Sequence, residues 1–212
     1  MASVTTGTGI AVRIVRPDAH RVMPWKNGLG TTTEIAIDPP DGNVGGRFRW
    51  RLSIADVESS GPFSAFPGYE RTIMVIAGHG MDLAVGERPV QRLDRLFEPY
   101  VFSGDSAAEC RLLDGPIRDF NLMVERSSLR SRVAVVRLEA EPQSLERASA
   151  GRIIHCFEGR IDLGLPATGW SARLQPNCTA IVGHADDAQG KLQVAAGPGE
   201  RATAAIIELT AA

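Results

Sequence analysis

The chain has 212 residues, 43% hydrophobic and 23% charged, which is enough for one large β domain or two small ones with real cores. A net charge of −2 without any basic tract excludes bulk attraction to nucleic acid, and no segment approaches the roughly 20 apolar residues that span a bilayer. Cys110, Cys156 and Cys178 are odd in number and lack CxxC spacing, and the start, MASVTTGTGI, has no signal-peptide pattern. Reduced, buried thiols in a cytoplasmic protein are therefore expected.

In chain order, Ala11 to Arg16 reads as a short strand stopped by Pro17. Thr31 to Ile37 is another, stopped by Asp38-Pro39-Pro40, and residues 38–46 are a loop on composition. Strands follow at about 47–55, 71–77, 81–85, 100–103, 108–113 and 118–125. Pro62 and Pro67 exclude a regular central strand between the first two of these. Glu87 to Glu98 is the one place where a helical turn is predicted. Arg49, Arg51 and Ser53 share one face of their strand, opposite Phe48, Trp50, Leu52 and Ile54. Such a face is either a solvated surface or the wall of a pocket.

A second series of strands begins near Val133. Ile73 to Leu83 (IMVIAGHGMDL) is echoed by Ile153 to Leu163 (IIHCFEGRIDL), and Gly115-Pro116 by Gly197-Pro198, at a similar offset. A duplicated β unit is the reading that accounts for both. In the second copy Arg201 and Thr203 stand where the first has Asp119 and Asn121, so the first copy is expected to be functional and the second supporting.

The four histidines, His20, His79, His155 and His184, show no HxH, HxxxH or HxxE spacing, so no protein-bound metal and no cofactor are expected. His79 sits between glycines in a predicted hairpin turn, and His155 on an apolar strand reads as a core histidine. No GxSxG, activated cysteine or phosphate loop is present. What remains is a set of cations and neutral hydrogen-bonders near turns. Lys26 and Asn27 lie in a tight Asn-Gly turn; Arg51 and Ser53 share a face; Ser64 and Arg71 bracket a segment rich in aromatics that includes Phe63; Asp119 and Asn121 project one way from a late strand. A buried arginine needs Glu34, Asp119 or an anionic ligand as partner. Arginine forks suit carboxylates, so a small carboxylic acid is the expected guest of Lys26, Asn27, Arg51, Ser53, Phe63, Ser64, Arg71, Asp119 and Asn121.

At these residues the sequence resembles the HutD/Ves family of cupin-like proteins. The resemblance runs through PWKNGLGTTTEI (24–35), FRWRLSIADVESSGPFSAFPGYERTI (48–73), the turn at 78–80, FSGD (102–105) and LLDGPIRDFNLMVER (112–126). It implies an all-β bicupin with two jelly-roll-like (RmlC-like cupin) β-barrel lobes. Residues 10–126 would form the lobe with the pocket, and 130–210 a degenerate, structural lobe. In metal-binding cupins the connection equivalent to Phe63–Arg71 carries HxH and then a glutamate; Phe63, Ser64, Phe66 and Arg71 stand there instead, implying loss of the metal. Leu29 interrupts what is often an all-glycine run after Asn27.

HutD-type proteins are expected to sense an acid of histidine catabolism, urocanate or a formylated glutamate, and to restrain the pathway; Ves-type relatives are associated with environmental response. A binding or regulatory protein is therefore one expectation. The alternative is a metal-free isomerase or lyase using Lys26 or Glu34 as acid/base, with Arg51 and Arg71 holding a carboxylate. Neither nucleic acid nor membrane is an expected partner, and a homodimer is left open.

Overall fold

The computed structural model describes residues 3–5, 11–25, 27–146, 148–183 and 191–212, and these fold almost entirely as β-structure. The strands are β1 (Ser3–Thr5), β2 (Ala11–Val15), β3 (Arg21–Pro24), β4 (Gly30–Asp38), β5 (Trp50–Val57), β6 (Gly61–Phe63), β7 (Tyr69–Ala77), β8 (Met81–Val85), β9 (Gln91–Leu93), β10 (Tyr100–Ser103), β11 (Ala108–Leu112) and β12 (Ile117–Glu125). They continue as β13 (Leu129–Leu138), β14 (Gln143–Leu145), β15 (Gly151–Glu158), β16 (Ile161–Leu165), β17 (Trp170–Leu174), β18 (Thr179–Val182), β19 (Leu192–Ala196) and β20 (Ala202–Ala211). Among the described residues the helical elements are two 3-10 turns, and no helix is long and apolar enough to cross a membrane.

The chain divides into two compact units. One is His20–Leu129; the other joins the N-terminal residues up to Ala19 with Arg130–Ala211. In the first, a six-stranded sheet of order β10-β7-β12-β5-β4-β3 accompanies a four-stranded sheet of order β6-β11-β8-β9. In the second the orders are β1-β2-β18-β15-β20-β13 and β14-β19-β16-β17. The run β10-β7-β12-β5 thus corresponds to β18-β15-β20-β13, and β6-β11-β8-β9 to β14-β19-β16-β17. The internal echo in the sequence marks this eight-strand pattern.

Four expectations change. The strand Ala11–Val15, read from sequence as part of the first unit, pairs with β18 in the second. No helical turn forms between Glu87 and Glu98; β9 pairs there with β8, and Leu93 enters the core opposite Met81. His79 lies in a turn, but β7 and β8 on either side of it belong to different sheets rather than to one hairpin. That turn requires glycine at Gly80, where φ is +103° and a Cβ would sit 2.4 Å from the Leu93 carbonyl oxygen. Finally, Arg201 and Thr203 are not the interior counterparts of Asp119 and Asn121. Arg201 is exposed and reaches Glu139, Thr203 reaches Glu158, and the interior is lined by Ala202 and Ala204. The bulged ladders match Arg118 with Thr203 and Asp119 with Ala204, three residues away from the sequence alignment, and an odd offset exchanges the two faces of a strand.

The cores differ in kind. In the second unit both sheets contribute to one aliphatic cluster that includes Leu138, Ile154, Ile161, Leu163, Leu174 and Val194. His155 is fully buried on the face of β15 opposite Ile154 and Cys156, with Nδ1 2.8 Å from Thr179 Oγ1, which is the buried structural role expected of it. In the first unit only part of the interior is apolar. Ala55, Val57, Ile73, Val75 and Ile117 of the larger sheet meet Met81, Leu83, Val85 and Cys110 of the smaller. Pro62 stands on β6, an edge strand, the place in a sheet where proline is tolerated.

Candidate functional site

Strand period carries three strands of the first unit from apolar to polar along one face. On β5 the sequence Val57, Ala55, Ser53, Arg51 leaves the apolar cluster at Ser53; on β7 Val75 and Ile73 give way to Arg71; on β12 Ile117 gives way to Asp119 and Asn121. The strands are neighbours, with Asn121 opposite Ser53, and Met123 opposite both Arg51 and Arg71. Strand alternation separates the roles of Arg118 and Asp119: Arg118 pairs outside with Asp56, while Asp119 turns inward, and the β-bulge beside them lies on β7, where Ile76 is skipped between Ala77 and Val75. The polar ends of the three strands open on a cavity of about 520 Å³. Its size lies in the range of small-molecule sites.

Asn27, Arg51, Ser53, Phe63, Ser64, Arg71, Asp119 and Asn121, all read from the sequence, line this one cavity. Lys26 lies outside the described residues. Glu34 is not on the lining: it is buried and accepts from Arg51 Nε at 2.7 Å and from Arg21 Nε at 2.9 Å. A carboxylate with both oxygens taken by guanidinium groups is a structural counterion, which removes the physical basis for its acid/base candidacy. Arg49 precedes β5, is 55% exposed at its side chain and faces Asp38, away from the cavity lining.

Arg71 is buried differently from Arg51. Its Nη1 donates to the Ser64 carbonyl at 3.1 Å, and its guanidinium carbon stands 4.9 Å from the Phe102 ring centroid, 5.6 Å from Phe66 and 5.8 Å from Phe63. Three ring faces stabilise the cation and hold it in place. Its Nε is buried without a hydrogen-bond partner among the described residues. Burial pulls the Arg71 pKa down to about 10, with Asp119 opposing that shift and Arg51 adding to it. Burial likewise pushes Asp119 up to about 7, against the pull of Arg71 and a hydrogen bond from Asn121. Asp119 Oδ1 and Asn121 Oδ1 are also buried without a hydrogen-bond partner among the described residues.

The cavity's other walls were not legible as functional. Trp25 donates from Nε1 to Thr32 Oγ1 at 2.7 Å and stands edge-on to Phe63, and Asn27 Oδ1 accepts the Leu29 amide in the turn between β3 and β4. Met23, Val44, Ala55 and Met123 complete apolar stretches of wall. Ala55 and Met123 lie two residues beyond Ser53 and Asn121, so extending the alternation would have found them. The FSGD stretch has a mechanical role: Asp105 accepts from the Gly68 amide at 2.6 Å, from Ser103 Oγ at 3.0 Å and from Arg126, which holds its carboxyl down at about 2. Those bonds anchor the connection that carries Phe63, Ser64 and Phe66. Among the described residues no three His, Cys, Asp or Glu side chains gather as a metal centre requires; His184 lies outside them.

Residues 17–200 match the HutD family model. An uncharacterized 21.2 kDa protein in the hutC 3′ region of Pseudomonas putida is 47% identical over 122 residues, 58% of this chain and 63% of that protein. The chain thus matches somewhat less than two thirds of that relative's length. Protein Ves of Citrobacter koseri is 33% identical over 148 residues, 68% of this chain and 73% of its own. Among solved structures, a conserved protein of unknown function from Pseudomonas aeruginosa PAO1 superposes with a TM-score of 0.82 at 36% identity, covering 94% of this chain and 98% of that one. HutD from Pseudomonas fluorescens SBW25 superposes with a TM-score of 0.75 at 33% identity, covering 95% and 100%. An oxalate decarboxylase from Lactobacillus farciminis shares the fold at 6% identity, with a TM-score of 0.69 over 93% of this chain and 88% of that one. The all-β architecture is therefore cupin-like.

Proposed function

The chain belongs to the HutD family, a cupin-like family linked to the histidine-utilisation locus, and on that premise we propose that it binds a small carboxylic acid of histidine catabolism, urocanate or a formylated glutamate, and thereby modulates the pathway. The two units are then the lobes of a bicupin: residues 20–129 hold the ligand, and the aliphatic interior of the other lobe serves as support.

One observation carries this reading. Arg71 is buried in a cavity wall with an unused Nε donor, in a neighbourhood where charge does not cancel. Arg21, Arg51 and Arg71 contribute three positive charges against Glu34 and an Asp119 whose pKa is near 7. A carboxylate supplies both the missing acceptor and the missing negative charge. Arg51 keeps Glu34 on its Nε and lines the same cavity.

A second reading rests on Asp119. A buried carboxyl near 7 in a ligand-sized cavity is equipped to exchange a proton with a guest, as an isomerase or lyase requires. Here Asp119 takes the place given to Lys26 or Glu34 in the enzyme alternative. Incubating the protein with urocanate and with N-formylglutamate and following each by NMR separates the two readings. Shifted but unconsumed signals support binding; turnover supports the enzyme; unchanged spectra for both acids overturn the ligand assignment.

A further inference from the structure

We propose that the cavity is two-ended, taking the ligand's carboxylate at Arg51 and Arg71 and an N–H donor of the same ligand at Asp119 Oδ1 and Asn121 Oδ1. The inference rests on the carboxylate reading above and narrows the ligand class from small acids to acids that also carry an N–H.

The lining holds unmatched groups of both signs. Among the described residues Arg71 Nε is a donor without an acceptor, whereas Asp119 Oδ1 and Asn121 Oδ1 are acceptors without a donor. Buried polar groups are rarely left unpaired, and those that remain so in a cavity describe the guest in negative. Arg71 does not satisfy the acceptors itself. Its Nη1 is tied to the Ser64 carbonyl and its guanidinium is held among the rings of Phe63, Phe66 and Phe102, so swinging toward Asp119 would forfeit all of these contacts. Asn121 acts on Asp119 as a donor and lowers its pKa, and the Asn121 amide oxygen is the buried atom without a partner among the described residues.

The class of donor follows from what the two oxygens offer. An imidazole or amide N–H presents a proton and asks for nothing in return at that atom. A hydroxyl can donate its single proton to one of these oxygens, but its own lone pairs then need donors that two acceptors do not supply, and a second carboxylate would add like charge beside Asp119. An N–H brought to Asp119 also stabilises its ionised form, countering the burial that pushes the group up to about 7. A simple carboxylate of similar size leaves both acceptors buried and unmet, and that shortfall is where discrimination arises.

The test uses two pairs of acids in which one member lacks the N–H: urocanate against 3-(3-thienyl)acrylate, which also lacks the imidazole's acceptor nitrogen, and N-formylglutamate against N-formyl-N-methylglutamate, which differs in the N–H donor and an added methyl group. Each is titrated calorimetrically at pH 8 into the wild-type protein, Asn121→Leu and Arg51→Gln. Losing one hydrogen bond to a charged acceptor predicts that the donor-less member of a binding pair is weaker by roughly 10- to 150-fold. In Asn121→Leu the gap should narrow to a few-fold. Should that variant not fold, the wild-type comparison decides alone. Equal affinity within both pairs, with Arg51→Gln weakening every ligand, overturns the donor end and leaves the carboxylate end standing. No binding of any of the four acids to wild type overturns both.

Discussion

Arg71 and Asp119 face the same cavity from adjacent strands, and each shifts the other's ionisation, yet no hydrogen bond or ion pair joins them. An unclosed pair of this kind has a cost that a tight buried pair does not have, since both groups are desolvated and each keeps an unused polar atom. Ser64 and the surrounding phenyl rings prevent it from collapsing. The consequences can be measured.

The arginines should separate in calorimetric titrations of urocanate and N-formylglutamate. An arginine–carboxylate hydrogen bond contributes about 1.5–3 kcal/mol net, so Arg71→Gln and Arg51→Gln should each weaken binding by roughly 10- to 150-fold. Arg49→Gln should leave it within about 3-fold, because that side chain pairs with Asp38 outside the cavity. Three variants that all bind like wild type would place the arginines outside any ligand site.

Stability should fall as pH rises from 5 to 7. In the folded protein Asp119 keeps its proton up to about 7, while the unfolded chain releases it near 4. Between those values the folded state binds one proton more, which costs about 1.4 kcal/mol per pH unit. The groups acting on Asp119 in the fold are Arg71 from β7, Asp56 from β5 and Asn121 on its own strand, and Cys110 on β11 is affected by it in turn. Carboxylates held low by their partners, such as Asp82, Asp105 and Glu125, titrate below this window and do not mask it. Urea unfolding of wild type and Asp119→Asn at pH 5, 6, 7 and 8 should show the slope in the first and not in the second. Parallel curves would remove Asp119 as its source.

Glu34→Gln should destabilise the protein without directly removing a ligand contact. Glu34 is buried and joins Arg51, also buried, to the half-exposed Arg21. Breaking a buried pair by removing one charge costs about 3–5 kcal/mol, and the exposure of Arg21 places the expected loss near the lower figure. A drop in the urea midpoint with an unchanged m-value is the expected signature. An unchanged midpoint would mean that this pairing contributes nothing to stability.

Cys110 and Cys156 should resist thiol reagents in the native state. Burial raises both thiols to about 12, so almost no thiolate is present at pH 8. With an aromatic disulfide reagent, reaction at these two positions should await unfolding, after which all three cysteines of the chain titrate. Prompt labelling of native Cys110, located by mass spectrometry, would contradict its burial beside Met81.

The sequence by itself determined the β class, the positions of most strands and the duplication, because period-two alternation and Gly/Pro punctuation are local signals. It also brought Arg51 with Ser53 and Asp119 with Asn121 onto shared strand faces, which follows from the pleat alone. Tertiary structure decided what those faces meet. Both faces of β5 are buried, so alternation could not say which one lines a cavity. Pairing between distant segments moved Ala11–Val15 into the other unit and placed Arg201 and Thr203 on an outer face, since a register is fixed by long-range closure and not by composition. The same closure divided the cavity's charges unequally. Glu34 reached Arg51 and Arg21, while Arg71 was left among phenyl rings with a donor to spare. Which of several arginines keeps an unmet charge depends on distances across the fold, and spacing along the chain does not encode those distances.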